Sequence, residues 1–388
     1  MRGDRRTPLR LGIDFVEDPH PVLHRLRADD PLAWIQIPYG ARGVLITRYD
    51  DARQVLTSGD VIKNIRPALG LAAGGTVRPT VSAHLLNSDG ADHRRLRRCS
   101  ADALRITAVE HWRGIIEETV AEQTERFLCG RTTGDLRVWA DRIPEAVIGK
   151  VMGLTDQEAS ELADLSRPLV DQWHRGEVEE ATRKVAARID QVLGAERGPS
   201  GVRTLLAAHE ARILDRRELV SSLFLTLFAG LETAAAFLGA AAFRLLAEYG
   251  SLLAMSDDSG DVLKELLRLE PPLAMATVRA ARNELLLPSG PVPGGALIFV
   301  SLAAANRDPA RFERPDELRP GRGGPVSLTF GAGDHFCLGH APAQLEVATA
   351  LAELARRAPR LRLQPESAVG FRPSVFIRTP DCLVVRWD

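Results

Sequence analysis

The order of apolar and polar residues predicts a mainly helical middle of the chain. Apolar residues recur at helical spacing from about Ala101 to Arg268. Within this stretch, Ala101–Cys129 contains no proline and is expected to form one or two helices, with Gly130 just past their end. Clusters of Gly, Pro, Ser and Thr at 130–134 and 198–201 are expected to separate the helices.

One segment is apolar enough to raise the question of a membrane span. Ser221–Ala242 is almost entirely apolar and is long enough to cross a bilayer. A helix that is apolar on every side can also be the central buried helix of a large protein. Glu232 lies near the middle of the segment, and an ionised carboxylate there would be costly in lipid. We therefore predict a buried core helix and no membrane partner.

Three regions have features of β-structure. Trp34–Ile46 alternates apolar and polar residues around a Tyr-Gly turn, Glu284–Val300 is rich in Leu, Val and Pro/Gly turns, and Val375–Trp387 looks extended. The predicted fold class is therefore mainly α, of the α+β type, with small β-sheets at the edges of a helical domain. We expect a single domain over residues 1–388, in which residues 1–12 form a flexible N-terminal tail.

Composition narrows the classes of function. The 50 basic and 51 acidic residues give a formal net charge of −1, so no overall charge indicates nucleic acid or an anionic membrane as a partner. No apolar run follows the charged start of the chain, so we expect neither an export signal nor an N-terminal anchor. The cysteines are few and form no CxxC pair, which is typical of a reducing cytoplasm. They are Cys99, Cys129, Cys337 and Cys382.

One of these cysteines lies in a sequence suited to holding iron. Cys337 belongs to the glycine-rich run Phe330–Gly339, whose glycines let the backbone pass close to a flat cofactor. A tight loop that leads into a helix N-terminus can direct amide N–H groups at the sulfur and favour its thiolate. Phe330 can shield that sulfur from water. From these residues alone, an ordinary buried cysteine and a zinc site that includes His335 are the alternatives.

The run resembles the haem-binding signature of the cytochrome P450 family. Its fixed positions are matched by Phe330, Gly331, Gly333, His335, Cys337 and Gly339. The resemblance implies the cytochrome P450 fold around a buried haem b, with Cys337 as the axial ligand of the iron and His335 at a haem propionate. It also implies that Phe330, Gly331 and Gly339 contact the cofactor. Thiolate ligation donates electron density to iron and favours O–O cleavage.

The sequence after the cysteine departs from the family pattern. Pro342 and Gln344 stand where the family usually continues with a Leu-Ala-Arg type of helix. Proline is tolerated in a first helical turn, so we expect a local adjustment and no loss of haem.

Other residues resemble the family's contacts to the haem propionates. His93 and Arg97 are spaced one helical turn apart, so both lie on one helix face and can clamp a carboxylate. The resemblance implies that both bind a propionate, as does Arg279 before the second β-region. The preceding Asp89–Asp92 departs from the family, which leaves the conformation of that loop open. A basic, solvated helix face is the expectation for Arg94, Arg95 and Arg98.

Glu265 and Arg268 are spaced to share one helical face. Alone, such pairs usually lie on the surface and contribute little. Two prolines follow this pair, and it resembles the family's buried Glu-x-x-Arg, completed here by Arg322. The resemblance implies a structural triad that braces the cysteine loop. Leu318 and Arg319 are mild departures from the family near Arg322.

The middle of the long apolar segment resembles the family's oxygen-activation motif. Ala229 and Gly230 are small enough to let a planar group or O2 approach the helix backbone. Thr233 can bond the carbonyl one turn back, and a buried acid beside a hydroxyl can relay protons. From the residues alone, a structural role for Glu232 would be the better interpretation. The resemblance implies that Ala229 and Gly230 contact the cofactor, Thr233 stabilises activated oxygen and Glu232 delivers protons.

The resemblance extends over about Asp14 to Trp387. It implies a haem-thiolate monooxygenase that inserts one oxygen atom of O2 into a small organic substrate by hydroxylation or epoxidation. The chain has no GxGxxG fingerprint, so electrons from NAD(P)H would arrive through an external ferredoxin or flavodoxin with its reductase. Two alternatives are a non-catalytic haem protein that docks a carrier protein and a peroxygenase driven by H2O2. The presence of Cys337, Thr233 and Glu232 argues against both.

The substrate is expected to be an intermediate of bacterial natural-product (secondary metabolite) biosynthesis, either free or bound to a carrier protein. By resemblance, mostly aliphatic segments line its pocket. They are Asn64–His84, Leu165–Arg175, Phe224–Phe237, Leu273–Thr277 and Ser374–Ile377.

Overall fold

Helices make up most of the chain in the computed structural model, which describes residues 7–38, 40–65, 81–105, 109–170, 174–255, 260–364 and 369–387. The α-helices are α1 (Ile13–Glu17), α2 (His20–Asp29), α3 (Tyr49–Thr57), α4 (Gly90–Arg105), α5 (Val109–Leu128), α6 (Leu136–Met152), α7 (Asp156–Ser166), α8 (Arg175–Gly194), α9 (Gly201–Glu210), α10 (Arg216–Tyr249), α11 (Gly260–Leu269), α12 (Leu302–Ala305) and α13 (His340–Arg357). Short 3-10 helices lie at Leu85–Asn87, Arg167–Val170, Leu253–Met255 and Gly333–His335.

The strands are short and belong to three small sheets. They are β1 (Leu9–Arg10), β2 (Leu32–Gln36), β3 (Arg42–Ile46), β4 (Val61–Ile62), β5 (Thr133–Asp135), β6 (Arg279–Ala281), β7 (Leu285–Leu287), β8 (Gly290–Val292), β9 (Leu297–Val300), β10 (Arg362–Leu363) and β11 (Val384–Arg386). The strand orders are β1-β2-β3-β9-β6-β4, β10-β11-β5 and β7-β8. The predicted mainly helical α+β class is confirmed, whereas the single domain over 1–388 stays a prediction.

The central helix α10 contains the whole apolar segment predicted from the sequence. A capping box starts it, because the Asp215 side chain accepts from the Glu218 amide and the Glu218 side chain accepts from the Asp215 amide. It ends before Gly250, whose φ of +60° suits glycine. The helix is long and apolar enough to cross a membrane, but 72% of its most apolar window is buried inside the protein. It packs most extensively against α6. The predicted core helix is confirmed.

The first two predicted β-regions form strands. Trp34–Ile46 overlaps the antiparallel pair β2 and β3, in which Trp34 faces Val44. Glu284–Val300 holds the hairpin β7–β8 and then β9, which joins β3 in the larger sheet. In Val375–Trp387 only β11 is a strand, because Ser374 first closes a turn by accepting from the Phe376 and Ile377 amides. The expectation that all of Val375–Trp387 is extended was therefore too broad.

The segment Ala101–Cys129 contains parts of two helices. The first, α4, already begins at Gly90, and the second, α5, ends at Leu128 before Gly130, which has a φ of +65°. The indole of Trp112 donates to the Leu104 carbonyl at 3.0 Å and so joins the two helices.

Part of the segment 1–12, which is expected to be a flexible tail, pairs with the larger sheet. Leu9–Arg10 pairs in parallel with β2, and the Leu11 amide donates to the Gln36 carbonyl at 3.1 Å. Leu11 is buried, so apolar packing and sheet hydrogen bonds fix this part of the predicted tail.

Candidate active site

The cysteine loop has a backbone shape that requires its glycines. Gly331 and Gly333 have φ values of +74° and +70°, which non-glycine residues rarely adopt. A Cβ on Gly333 would also lie 2.9 Å from the Leu56 carbonyl oxygen. The Cys337 amide donates to the Phe330 carbonyl at 3.0 Å and closes the loop. The loop then leads into α13, for which Gly339 is the N-cap.

A hydrogen bond and a positive charge next to the sulfur of Cys337 favour its thiolate, whereas burial opposes it. Burial raises the pKa of the Cys337 thiol, whereas a hydrogen bond from the Gly339 amide and the positive charge of Arg97 act to lower it. Arg97 is fixed beside the loop because its Nη2 donates to the Phe336 carbonyl at 2.8 Å. Phe330 lies edge-on to Phe336, with ring centroids 6.5 Å apart. Pro342 is accommodated in the first turn of α13, as expected.

The predicted propionate contacts meet next to this loop. The rings of His93 and His335 have centroids 4.0 Å apart. His93 Nε2 and His335 Nδ1 are both buried without a hydrogen-bond partner in the described structure. Burial lowers the pKa of both imidazoles, that of His335 to about 3. Arg279 is buried at the same place, and desolvation lowers the pKa of its guanidinium to about 10.

Lys63 completes this group, and sequence reasoning missed it. Its ammonium is buried and donates to Thr277 Oγ1 at 2.7 Å and to the Val278 carbonyl at 2.8 Å. Burial, followed by repulsion from Arg279, lowers the pKa of Lys63 well below its usual value, against the attraction of Asp89. We call this group of cations and neutral imidazoles the cation cluster, and its members are Lys63, His93, Arg97, Arg279 and His335.

The cation cluster fits a group that carries carboxylates. Its members come from the sheet (Lys63 next to β4, Arg279 in β6), from α4 and from the cysteine loop. Burying several hydrogen-bond donors and positive charges is unfavourable unless a negatively charged group is buried with them. Unpartnered imidazole nitrogens and an ammonium bonded to neutral oxygens, beside a thiol-bearing glycine loop, fit a haem: the cluster would bind its propionates and Cys337 would hold its iron.

The resemblance-based structural triad is formed. Glu265 accepts from Arg268 Nε at 2.8 Å and from Arg322 Nε at 3.0 Å. It also accepts from the Arg319 amide at 3.0 Å. Arg319, which departs from the family pattern, therefore bonds to Glu265 through its backbone. Burial alone would raise the pKa of Glu265, but these hydrogen bonds outweigh it and lower the pKa. Arg268 further donates to the carbonyls of Asn306, Pro315 and Glu317 and fixes the chain before the cysteine loop.

The acid–hydroxyl pair lies in the middle of α10. Thr233 Oγ1 donates to the Ala229 carbonyl at 2.6 Å, as predicted for a threonine inside a helix. Glu232 is buried, and desolvation raises its pKa to about 7, although Arg372 and Arg137 act to lower it. Glu232 therefore titrates near neutral pH. Sequence reasoning did not identify Arg372 as its partner.

Gly230 has a packing reason to be small. A Cβ at this position would lie 3.3 Å from the Ile148 side chain, where α10 crosses α6. The predicted cofactor contact of Ala229 and Gly230 stays a prediction.

Several predicted pocket segments meet near α10. Phe228 and Leu273 pack against a small buried group made of Val170, Ala236 and Ile377. An isolated β-bridge joins Leu273 to Ile377. Residues 66–80 and 171–173 of the predicted lining lie outside the described residues.

The expected basic helix face is partly wrong. Arg94 and Arg98 are exposed, but Arg95 is held by Glu218 at 2.6 Å and by Asp92 at 3.0 Å. Its guanidinium therefore ties α4 to the start of α10. For the zinc alternative, no group of three or more His, Cys, Asp or Glu side chains suited to a metal ion occurs among the described residues.

Comparisons with known proteins identify the family of the chain. The cytochrome P450 family model matches residues 260–369. Cytochrome P450 107B1 of Saccharopolyspora erythraea is 32% identical over 96% of each chain. The polyketide biosynthesis cytochrome P450 PksS of Bacillus subtilis is 29% identical over 96% of this chain and 97% of that protein. The structure of CYP154A1 from Streptomyces coelicolor A3(2) is 31% identical, with a TM-score of 0.89 over 98% of this chain and 100% of that one. On this evidence, the chain belongs to the cytochrome P450 family.

Proposed function

We propose that this protein is a haem-thiolate monooxygenase that transfers one oxygen atom from O2 to a small organic substrate, by hydroxylation or epoxidation. The observation that carries the proposal is the largely buried cation cluster, whose unpartnered imidazole nitrogens lie beside the Cys337 loop. Membership of the cytochrome P450 family supports it.

Residues of this chain would hold haem b at its iron and at its propionates. Cys337 would be the axial ligand, and the cation cluster would bind the two propionates. When bound, a haem with a thiolate ligand supplies the activation of O2 and the cleavage of its O–O bond. The Gly339 amide stabilises the negative charge on the sulfur of Cys337, since it donates a hydrogen bond to that atom.

The remaining chemistry requires protons at a water-poor site, and α10 offers two groups for it. The Thr233 hydroxyl donates to the Ala229 carbonyl, which leaves its oxygen lone pairs open to accept another hydrogen bond. Glu232, with its pKa of about 7, can give up and regain a proton near neutral pH. We propose that Glu232 supplies protons to the activated oxygen. The Thr233 hydroxyl then accepts a hydrogen bond from that oxygen once it is protonated and so holds it in place.

Electrons are proposed to come from NAD(P)H through a ferredoxin or flavodoxin with its reductase, in the cytoplasm. The contact of Arg97 with Phe336 places α4 beside the cysteine loop, and Arg94 and Arg98 are exposed on the same helix. Positive charge there would favour docking of an acidic electron carrier.

The substrate is proposed to be an intermediate of bacterial natural-product biosynthesis, free or carrier-bound. The apolar group around Phe228 and Ile377 favours an apolar body. One relative is named for polyketide biosynthesis, and another is the cytochrome P450 monooxygenase PikC of Streptomyces venezuelae. The name of the first relative supports this class, and that of the second supports the monooxygenase activity.

The test begins with spectroscopy of the purified, haem-loaded protein. The reduced CO complex should show the red-shifted Soret band of thiolate ligation, and Cys337→Ser should lose it. Turnover of a compound panel with a surrogate ferredoxin, its reductase and NADPH under isotopically labelled O2 should place one labelled atom in the product. Turnover by H2O2 alone would instead establish a peroxygenase, and haem binding without any turnover or substrate-induced spectral shift would favour the docking scaffold.

A further inference from the structure

A cleft of about 500 Å³ lies between α5, α6 and α7. Apart from Arg131, its lining residues all belong to these three helices. None of them is part of the cysteine loop, of the cation cluster or of the segments predicted to line the substrate pocket. Ligand sites in proteins commonly enclose roughly 300–1,000 Å³, so the cleft has room for a small molecule outside the haem site.

Packing between the helices fixes the walls of the cleft. The rings of Phe127 on α5 and Trp139 on α6 have centroids 6.5 Å apart, and the Trp139 indole donates to Thr124 Oγ1 at 3.1 Å. A Cβ on Gly149 of α6 would lie 2.8 Å from the Ala159 Cβ on α7, so these two helices are also in close contact. The cleft is therefore bounded by packed helices, as pre-formed ligand sites usually are.

A buried carboxylate with a spare oxygen lines the cleft. Glu145 is only 6% exposed. Its Oε1 accepts from Arg142 Nη1 at 2.6 Å, whereas its Oε2 is buried and has no hydrogen-bond partner in the described structure. Burial raises the pKa of Glu145, although Arg142 and Ser160 act to lower it. Because a buried acceptor without a donor is unfavourable, a ligand that brings an N–H donor to this carboxylate would be stabilised there.

Two further cations of the lining have acidic partners, which argues against an anionic ligand. Arg126 Nη2 lies 2.5 Å from Glu122 Oε1, and Lys150 Nζ lies 3.7 Å from Glu118 Oε2. The remaining charges of the lining are exposed and opposite in sign, on Arg131 and Asp156. The charges around the cleft therefore nearly balance, and the acceptor left open is Glu145 Oε2.

The same face of α6 carries an exposed apolar side chain. Val138 is 55% exposed and precedes Glu145 by two helical turns. The rise of an α-helix places these two residues about 10 Å apart along α6. Ala146, which is half-buried, and Gly149 leave room beside the carboxylate. A ligand suited to this wall has a hydrogen-bond donor at one end and an apolar body that reaches about 10 Å along the helix.

We propose that this cleft is a second ligand site, which binds a small organic amine. The ammonium group of the amine donates to the Glu145 carboxylate, and its apolar body lies along α6 towards Val138. An ammonium is favoured over a neutral donor because hydrogen bonds between charged partners are the stronger ones. The site is independent of the haem chemistry proposed above and does not depend on the identity of the substrate.

Binding of para-fluorophenethylamine, followed by fluorine NMR, tests the proposal. The haem-loaded protein is reduced and saturated with CO, so that the amine cannot bind to the iron. The amine should bind saturably, and the Val138 methyl resonances, assigned with Val138→Ala, should shift during the titration. Glu145→Gln should weaken binding by about tenfold or more, because it removes the negative charge from the hydrogen bond. Para-fluorophenylpropionate carries a carboxylate in place of the amine, so it should bind to wild type at least about tenfold more weakly.

Two further variants locate the bound amine. Ala146→Phe fills the cleft and should abolish binding. Glu161→Gln removes a carboxylate of α7 that pairs with Arg188 at 2.7 Å outside the lining, and it should leave the affinity unchanged. The Soret band of the CO complex checks that each variant still folds around haem. Equal affinity in wild type, Glu145→Gln and Ala146→Phe, equal affinity for the two probes, or no saturable binding at all would each overturn the proposal.

Discussion

At the scale of single residues, Lys63 is the clearest case of a side chain that suits a complex better than the free protein. Its ammonium makes two hydrogen bonds to neutral groups and faces Arg279. A buried cation without a full anionic partner destabilises the fold, whereas a propionate would turn the same charge into a strong contact. Removing the Lys63 ammonium is therefore expected to weaken haem binding but to stabilise the haem-free protein.

Lys63→Met should accelerate transfer of haem to apomyoglobin by roughly 10- to 100-fold, as expected from losing one charged hydrogen bond of about 1.5–3 kcal/mol. In the haem-free protein the same change should raise the free energy of unfolding. The folded-state pKa of Lys63 is lowered, so the cost of its charge grows as pH falls below the unfolded value of 10.5, and the gain should be larger at pH 7 than at pH 10. Lys150→Met, at a half-buried lysine paired with Glu118, is the control. Equal haem transfer in Lys63→Met and Lys150→Met would exclude Lys63 from haem binding.

The Glu265 triad should be costly to break. Glu265→Gln leaves Arg268 and Arg322 as buried charges without their carboxylate, which typically costs about 3–5 kcal/mol. Because the pKa of Glu265 is lowered, this stabilisation is present above its unfolded pKa and is lost as pH falls through the folded value. Urea unfolding at pH 7 measures the loss.

Glu353→Gln provides the comparison for this triad. Glu353 pairs with Arg356, which is 67% exposed, so its replacement should change the free energy of unfolding by less than about 1 kcal/mol. Similar losses of unfolding free energy in Glu265→Gln and Glu353→Gln would show that burial does not make the triad stronger than a surface ion pair.

At the scale of elements, the start of α10 combines a capping box with a tertiary tie. Asp215 accepts from the Glu218 amide at 2.7 Å, and Glu218 also holds the guanidinium of Arg95 on α4. Asp215→Ala removes the cap alone and should weaken the first turn by about 1 kcal/mol. Amide hydrogen exchange at Glu218 and Leu219 should then accelerate about fivefold, while exchange near Ala236 stays unchanged. Uniform acceleration along the helix would contradict a local role of the cap.

Local patterns in the sequence predicted the elements well, and long-range contacts explain what they missed. The hairpin β2–β3 has a strong alternation of its own, the core helix α10 is a long apolar run, and Gly331 and Gly333 have a steric requirement that the signature records. Lys63, in contrast, gains its role only through Thr277, 214 residues further along the chain. Arg372 was missed and Arg95 was misjudged for the same reason, since Glu232 and Glu218 meet them through tertiary packing that leaves no local signal.

At the scale of the whole molecule, the cysteine loop joins two cores. Phe330 and Leu338 pack against the helical core that surrounds α10, whereas Ala332 packs against the core of the larger sheet. The cation cluster likewise draws on both parts, with Arg279 from the sheet and His93 from α4. A bound cofactor would therefore contact both parts of the fold, so its binding free energy would add to the stability of the whole molecule.

The carboxyl of Glu346 should make that global stability depend on pH. Glu346 lies on α13 behind the cysteine loop, is 6% exposed, and its Oε1 has no hydrogen-bond partner in the described structure. Desolvation raises its pKa to about 8. A carboxyl whose folded pKa is raised favours folding below its unfolded pKa of 4.5, and this contribution is lost as pH rises to about 8.

Glu346→Gln keeps the shape of this side chain and removes its titration. The variant should match wild type below about pH 4 and become progressively more stable than it up to pH 8, by at most roughly 4–5 kcal/mol. Above pH 8 the difference should be constant, because Glu346 is then ionised in both the folded and the unfolded state. Urea unfolding followed by tryptophan fluorescence at a series of pH values measures both curves. Parallel curves would mean that a polar partner satisfies the ionised carboxylate, and the argument from desolvation would then fail for this site.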